Sequence, residues 1–163
     1  MNRRMLAVGL AGSILTSGCA VLGPRTGDVT DVVEPVYGPT NPTLEEQVES
    51  GVRRFGSVIE LRPEHERRYR ELHAEVWPEV RAAIEQANIR NYSIHAATID
   101  GRRYLFSYFE YVGTDLEKDF ASMAEDPVTR DRWWPLTDAC QRVIEGTPQG
   151  AQWLSMELLM HIE

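Results

Sequence analysis

The spacing of apolar and polar positions divides the chain into three stretches of different character. Met5 to Leu15 form an apolar run broken only by small residues, with Arg3 and Arg4 before it and Thr16-Ser17-Gly18-Cys19 after it. Across residues 20–51 no helical or strand period persists, and Pro24, Pro35, Pro39 and Pro42 alternate with Gly23, Gly27 and Gly38. Periodicity begins at Val52 and continues almost to the end.

Within that third stretch Phe55, Ser57, Ile59 and Leu61 fall on one side of an alternating segment, which predicts a strand over 52–61. Pro63 suits a first helical turn, and Glu64 and Glu66 suit its positive end. Tyr69, Leu72, His73, Val76, Trp77, Val80 and Ile84 then recur in steps of three and four, a single helical stripe that Pro78 must kink or divide. Residues 89–98 alternate again, with Tyr92, Ile94 and Ala96 on one face. Asp100-Gly101 is a hairpin turn signal, and 103–112 is a second strand rich in Tyr and Phe. Thr114 or Asp115 caps a helix running to about Ala124. Asp126-Pro127 opens another helical stretch through Trp133, Trp134, Leu136 and Ile144. Gly146 to Gly150 form a loop, and 153–162 read as the last strand. The order β-α-β-β-α-β belongs to the α+β class and to the ferredoxin-like arrangement, a four-stranded antiparallel sheet with helices on one face. No element is left to cover the other face, where Phe, Tyr and Met fall, so the pattern predicts a homodimer through the open sheet face.

Composition narrows the function classes. Of the 163 residues 42% are hydrophobic, too many for a disordered chain, and a net charge of −8 opposes a nucleic-acid surface. Two cysteines cannot build a disulfide framework or a four-thiolate zinc site. The positive start, the short apolar run and Cys19 predict a lipoprotein-type signal peptide over 1–19, with Cys19 as the lipid attachment point; the run is too short for a permanent span. In 20–51 Arg25 stands alone against Asp28, Asp31, Glu34, Glu45, Glu46 and Glu49, which predicts a solvated acidic tether. The folded domain is then 52–163, with all four Trp and all four His. The expected location is the periplasmic face of a bacterial membrane. The outer membrane is preferred because Ala20, not Asp, follows Cys19; the alternative is a soluble periplasmic or secreted protein.

Few residues carry chemistry. Tyr69 and His73 lie one helical turn apart on the apolar face, where an imidazole is either a core residue or a general acid/base in a pocket. Trp133-Trp134 point about 100° apart on a helix, so one indole can pack inward while the other stacks on a sugar face. Tyr92 occupies a strand beside Asn91. His65, His95 and His161 show no metal-ligand spacing with His73, and the sequence has no Gly-rich phosphate loop and no G-x-S-x-G. Cys140 reads as a small buried hydrophobe. These features leave a cofactor-free acid/base enzyme or a small-molecule binding protein.

The run from Tyr69 through His73 to Trp77-Pro78-Glu79, with Asn91-Tyr92-Ser93-Ile94, Leu105-Phe106-Ser107-Tyr108 and Arg132-Trp133-Trp134, resembles the L-rhamnose mutarotase family over nearly all of 53–163. The resemblance implies a dimeric α/β barrel and interconversion of the α and β anomers of L-rhamnose or a similar 6-deoxy sugar, with no cofactor and no metal. It implies His73 as the proton donor and Tyr69, Tyr92, Trp133 and Trp134 as the sugar-binding residues. Two departures stand out. The export signal with its acidic tether is foreign to the compact relatives, and the last strand ends on Leu159-Met160-His161-Ile162, where relatives commonly carry an aromatic. The rival readings are a sugar-binding lipoprotein without catalysis and another dimeric ferredoxin-like enzyme, such as a small monooxygenase.

Overall fold

The computed structural model describes residues 34–162. The signal, Cys19 and the first part of the expected tether lie outside the described residues. A four-column antiparallel sheet is built on β1 (Arg53–Leu61), β2 (Ile89–Ile99) and β3 (Arg102–Tyr111), in the order β2-β3-β1. Two short strands, β4 (Gln141–Arg142) and β5 (Leu154–Met156), share the remaining edge of β1. Among the described residues five α-helices accompany the sheet: α1 (Leu44–Glu49), α2 (Glu66–Ala74), α3 (Pro78–Gln86), α4 (Leu116–Glu125) and α5 (Trp134–Asp138). This is the ferredoxin-like arrangement that the periodicity predicts.

Register explains the two faces. Phe55, Ser57 and Ile59 pair with Phe109, Ser107 and Leu105 and point towards the helices. Ile59, Leu61 and Leu105 are each 2% exposed or less, worth about 1.5–3 kcal/mol apiece as buried side chains. Val58 pairs with Phe106 and with Leu154, and Gly56 with Tyr108 and Met156, so these residues form the face without helices. A Cβ at Gly56 would stand 3.0 Å from the Met156 Cε, so the end of that flexible side chain would have to give way by a few tenths of an ångström. Asp100 and Gly101 both take positive φ, the geometry of a two-residue hairpin turn.

The helical stripe divides where Pro78 requires. The backbone leaves the helix at Glu75, and α3 restarts with Pro78 in its first turn. Asp115 caps α4 by accepting from the Lys118 N–H at 3.1 Å.

Three segments differ from the sequence-based expectation. Leu44–Glu49 is a true helix within the expected tether. Thr43 and Glu46 form a capping box, and the buried Gln47 side chain accepts the Arg54 N–H at 3.1 Å, which docks the helix on β1. Gln47 thereby takes a β1 donor that a longer last strand would need, and β5 stops at Met156; the chain beyond it runs instead beside Thr40, whose carbonyl accepts the His161 N–H. The helical stretch expected to reach Ile144 ends at Asp138. Gln141 and Arg142 turn into the ladder of β1, fixed by the 2.8 Å ion pair of Arg142 with the buried Glu60.

Candidate active site between α2 and the sheet

Helix α2 sets Tyr69 and His73 one turn apart, and their rings lie nearly parallel with centroids 4.0 Å apart. The His73 Nδ1 lies 2.9 Å from the Tyr69 carbonyl oxygen. A carbonyl only accepts, so Nδ1 carries the hydrogen, and in the neutral ring Nε2 is left with its lone pair. Burial disfavours the imidazolium and outweighs the backbone hydrogen bond, holding the His73 pKa below its ordinary value. The neutral ring therefore dominates at pH 7.

On its other side the imidazole meets the edge of Trp133, 5.3 Å away at 61°. Trp133 in turn meets Trp77 edge-on at 5.3 Å, and the Arg132 guanidinium lies 4.9 Å over the Trp77 ring. Pro135 explains why the indole reaches inward. It has no N–H, and its ring crowds the carbonyl one turn earlier, so the helix widens. Thr129–Trp133 form a π turn in which the Trp134 N–H bonds to the Thr129 carbonyl. Trp133 is 6% exposed among Leu72 and Val80, whereas Trp134 is half-buried against two of the core clusters.

Tyr92 arrives from β2 through a bulge. The register slips between Arg90 and Ser93, and Asn91 sits at φ +50°, a conformation that Asn tolerates better than most residues. Its amide donates to the Glu110 carboxylate at 2.6 Å. The extra residue lets both Ile89 and Tyr92 point to the helix side, with the Tyr92 ring edge-on to Phe109 at 5.8 Å. Tyr92 is 45% exposed as a residue, and burial at its phenol pushes the Tyr92 pKa up to about 12. It stands near enough to Tyr69 to raise that phenol as well, although burial is the larger cause there.

Tyr69 and His73 line a cleft of about 270 Å³. Its polar wall continues with Glu66 and Arg70, and its opposite wall is apolar: Leu61, Ile94, Ala96 and Leu105. The Glu66 carboxylate accepts from Arg70 at 2.7 Å and faces Arg103 at 3.3 Å; the Arg70 hydrogen bond holds it below the usual carboxylate range. The volume lies just under the roughly 300–1,000 Å³ of ligand pockets and suits one small ring.

Of the residues singled out from sequence, Tyr69, His73, Tyr92 and Trp133 come together, and Trp134 packs behind them. Cys140 is 1% exposed and donates to the Leu136 carbonyl. Among the described residues no group of three His, Cys, Asp or Glu side chains could hold a metal ion. Sequence reasoning missed Glu66 and Arg70, although their four-residue spacing parallels that of Tyr69 and His73.

A sequence model of the L-rhamnose mutarotase family matches residues 54–162. An L-rhamnose mutarotase of Lactiplantibacillus plantarum is 30% identical over 89 residues, 52% of this chain and 80% of that protein. Another, of Oceanobacillus iheyensis, is 28% identical over 83 residues, 51% and 74% respectively. The crystal structure of an L-rhamnose mutarotase from Formosa agariphila is similar at 20% identity, with a TM-score of 0.48 over 68% of this chain and 99% of that one. With the matched stretch holding all of the sheet but its first residue, the His73 stack and the paired indoles, the chain belongs to the L-rhamnose mutarotase family, isomerases that act on carbohydrates.

Proposed function

We propose that the protein interconverts the α and β anomers of L-rhamnose or a similar 6-deoxy sugar, with His73 as the proton carrier. One observation carries this reading. The Nδ1 bond to the Tyr69 carbonyl leaves Nε2 as the basic atom of a neutral imidazole on a cleft wall. Mutarotation removes the proton from the anomeric hydroxyl, breaks the C1–O5 bond and protonates O5. Both oxygens sit on C1, so a single nitrogen can serve both. Nε2 takes the anomeric proton, C1 becomes an aldehyde, and the imidazolium then donates to O5. His73 is thus the proton donor only after it has been the acceptor. Rotation about C1–C2 and the reverse sequence close the ring on the other face. A positioned acid/base contributes about 10²–10⁴-fold.

The sugar preference follows from the two walls. Leu61, Ile94, Ala96 and Leu105 suit a C6 methyl, while Glu66 and Arg70 suit ring hydroxyls. A buried methyl is worth about 0.8 kcal/mol, roughly fourfold in affinity. Tyr92, close enough to Tyr69 to act on its phenol, supplies aromatic surface beside the cleft, and Trp134 packs behind it.

The open sheet face carries Val58, Phe106, Tyr108 and the 41% exposed Met156, and a second copy would cover it. We assign the chain to the periplasmic face of a membrane, held through an acylated Cys19; the mass of the mature N-terminal peptide tests this, and an unmodified cysteine refutes it. Sedimentation tests the dimer. For the activity, NMR magnetisation transfer on the full chain should show faster exchange between L-rhamnose anomers. L-Mannose, which adds a C6 hydroxyl, should respond at least fourfold less. Anomer exchange left unchanged by the protein for every 6-deoxy sugar tried would sink the reading.

A further inference from the structure

Glu66 opens α2 and His73 follows seven residues later, so the two side chains leave the helix about 20° apart in projection and about 10 Å apart along its axis. Both line the cleft. The two oxygens of the Glu66 carboxylate are not equivalent. Oε1 accepts from the Arg70 Nε at 3.0 Å and from its Nη2 at 2.7 Å, and the Arg103 Nε lies 3.3 Å from the same atom. Arg103 is itself held, because its Nη1 donates to the Thr98 Oγ1 at 3.2 Å across the β2–β3 hairpin. Oε2 accepts from nothing among the described residues, and the side chain is 28% exposed, open to a ligand. The Arg70 hydrogen bond lowers the pKa and keeps the group ionised at neutral pH, so Oε2 can only accept.

We propose that Glu66 is a specificity-determining residue: its Oε2 accepts the sugar hydroxyl opposite the anomeric carbon, on C4, while His73 works at C1. Length decides which hydroxyl it reads. A pyranose measures about 5–6 Å from O1 to O4, and a hydrogen bond of about 2.8 Å at each end extends this to about 11 Å, close to the axial distance from Glu66 to His73. Side chains on a helix tilt the same way, so the backbone spacing carries over to the two groups. The hydroxyl on C2, next to the anomeric carbon, falls well short. Because guanidinium groups from α2 and β3 both hold Oε1, the carboxylate cannot swing to follow a differently placed hydroxyl. A ring lying lengthwise along α2 leaves its C6 methyl to the apolar wall of Leu61, Ile94, Ala96 and Leu105. The substrate class is thus a 6-deoxy sugar with a free C4 hydroxyl; a sugar substituted at O4 has no hydrogen to give. This assignment rests on the mutarotase reading for placing C1 at His73.

The test is calorimetric titration of the full chain with L-rhamnose, 4-deoxy-L-rhamnose and 2-deoxy-L-rhamnose. Loss of the C4 hydroxyl should weaken binding to the wild type about tenfold, as expected for a hydrogen bond to a charged group, and loss of the C2 hydroxyl less than about threefold. Glu66→Ala should bind L-rhamnose about tenfold more weakly and no longer distinguish it from the 4-deoxy sugar. In anomer exchange the Glu66→Ala loss should fall on KM rather than kcat, because the contact is remote from C1. Equal affinity of the wild type for L-rhamnose and 4-deoxy-L-rhamnose overturns the assignment, and that comparison holds even if Glu66→Ala fails to fold. Discrimination that survives in a folded Glu66→Ala overturns it too. A wild type that shows the expected binding pattern yet leaves anomer exchange unchanged refutes the mutarotase reading alone, and one that binds none of the three sugars overturns both.

Discussion

Trp133→Phe separates two roles that an indole beside the proposed proton carrier His73 can play. Trp133 is 6% exposed, so nearly all of its surface, about 150–250 Å² for a large aromatic, is buried. Exchanging indole for phenyl removes roughly a quarter of that area, about 1–1.5 kcal/mol at ~25 cal/mol/Å². The edge contacts to His73 and Trp77, both 5.3 Å between centroids, weaken as well, and such pairs carry about 0.5–1.5 kcal/mol each. A total loss of about 2–3 kcal/mol leaves a domain of ordinary stability folded. It should lower the melting temperature by roughly 5–10 °C in near-ultraviolet circular dichroism. The imidazole loses one of its two walls, so kcat for anomer exchange should fall about three- to tenfold while KM stays within about twofold. Two results would refute this reasoning. An unchanged melt would mean that the indole is not packed between Leu72, Val80 and His73, and a raised KM at constant kcat would make Trp133 a sugar contact rather than the backing of the histidine.

The depressed His73 pKa means that the unfolded chain binds the proton first as pH falls. Its contribution to stability is therefore complete above the unfolded value near 6.5 and is lost as pH falls below it towards the folded value. The acid limb of kcat/KM should likewise have its midpoint below pH 6.5 and vanish in His73→Ala, with exchange at least 10²-fold slower; an acid limb above pH 7 contradicts a buried neutral imidazole. Thr43→Ala removes one half of the capping box and should cost about 1 kcal/mol locally, seen as faster amide exchange over Leu44–Glu49 with the sheet unchanged. Gly113→Ala drives a methyl into the Tyr111 hydroxyl and the Asp119 carboxylate, which are hydrogen-bonded at 2.6 Å. It should destabilise the domain by about 1–3 kcal/mol in urea titration, as overpacking does; an unchanged midpoint would show that the loop yields freely.

Strand alternation over 53–61 and 102–111, the Asp100-Gly101 turn and the break at Pro78 were legible because each is a local rule: period two, two positive φ values, a missing N–H. The Tyr69–His73 stack was legible for the same reason, since four residues make one helical turn. The short edge strands were not. Gln141 and Arg142 belong to β4 only because the end of β1 offers Glu60 and Leu61 as partners, 82 and 80 residues earlier in the chain for Arg142 and Gln141. Likewise β5 ends at Met156 because a side chain from α1 holds the Arg54 N–H. Such limits are set by competition for one donor between remote segments, and no window of sequence contains both competitors.

The sequence by itself determined the α+β order, the hairpin register and the blocks that mark the family, because backbone geometry and apolar spacing act over a few residues. Tertiary structure decided how those blocks are placed. It placed the Trp133 indole against the imidazole through a π turn, brought Tyr92 to the helix side through a bulge, and set an apolar wall opposite Glu66 and Arg70. It also decided which nitrogen of His73 carries the hydrogen. A histidine in a sequence is both acid and base; only the carbonyl 2.9 Å from Nδ1 makes Nε2 the basic atom.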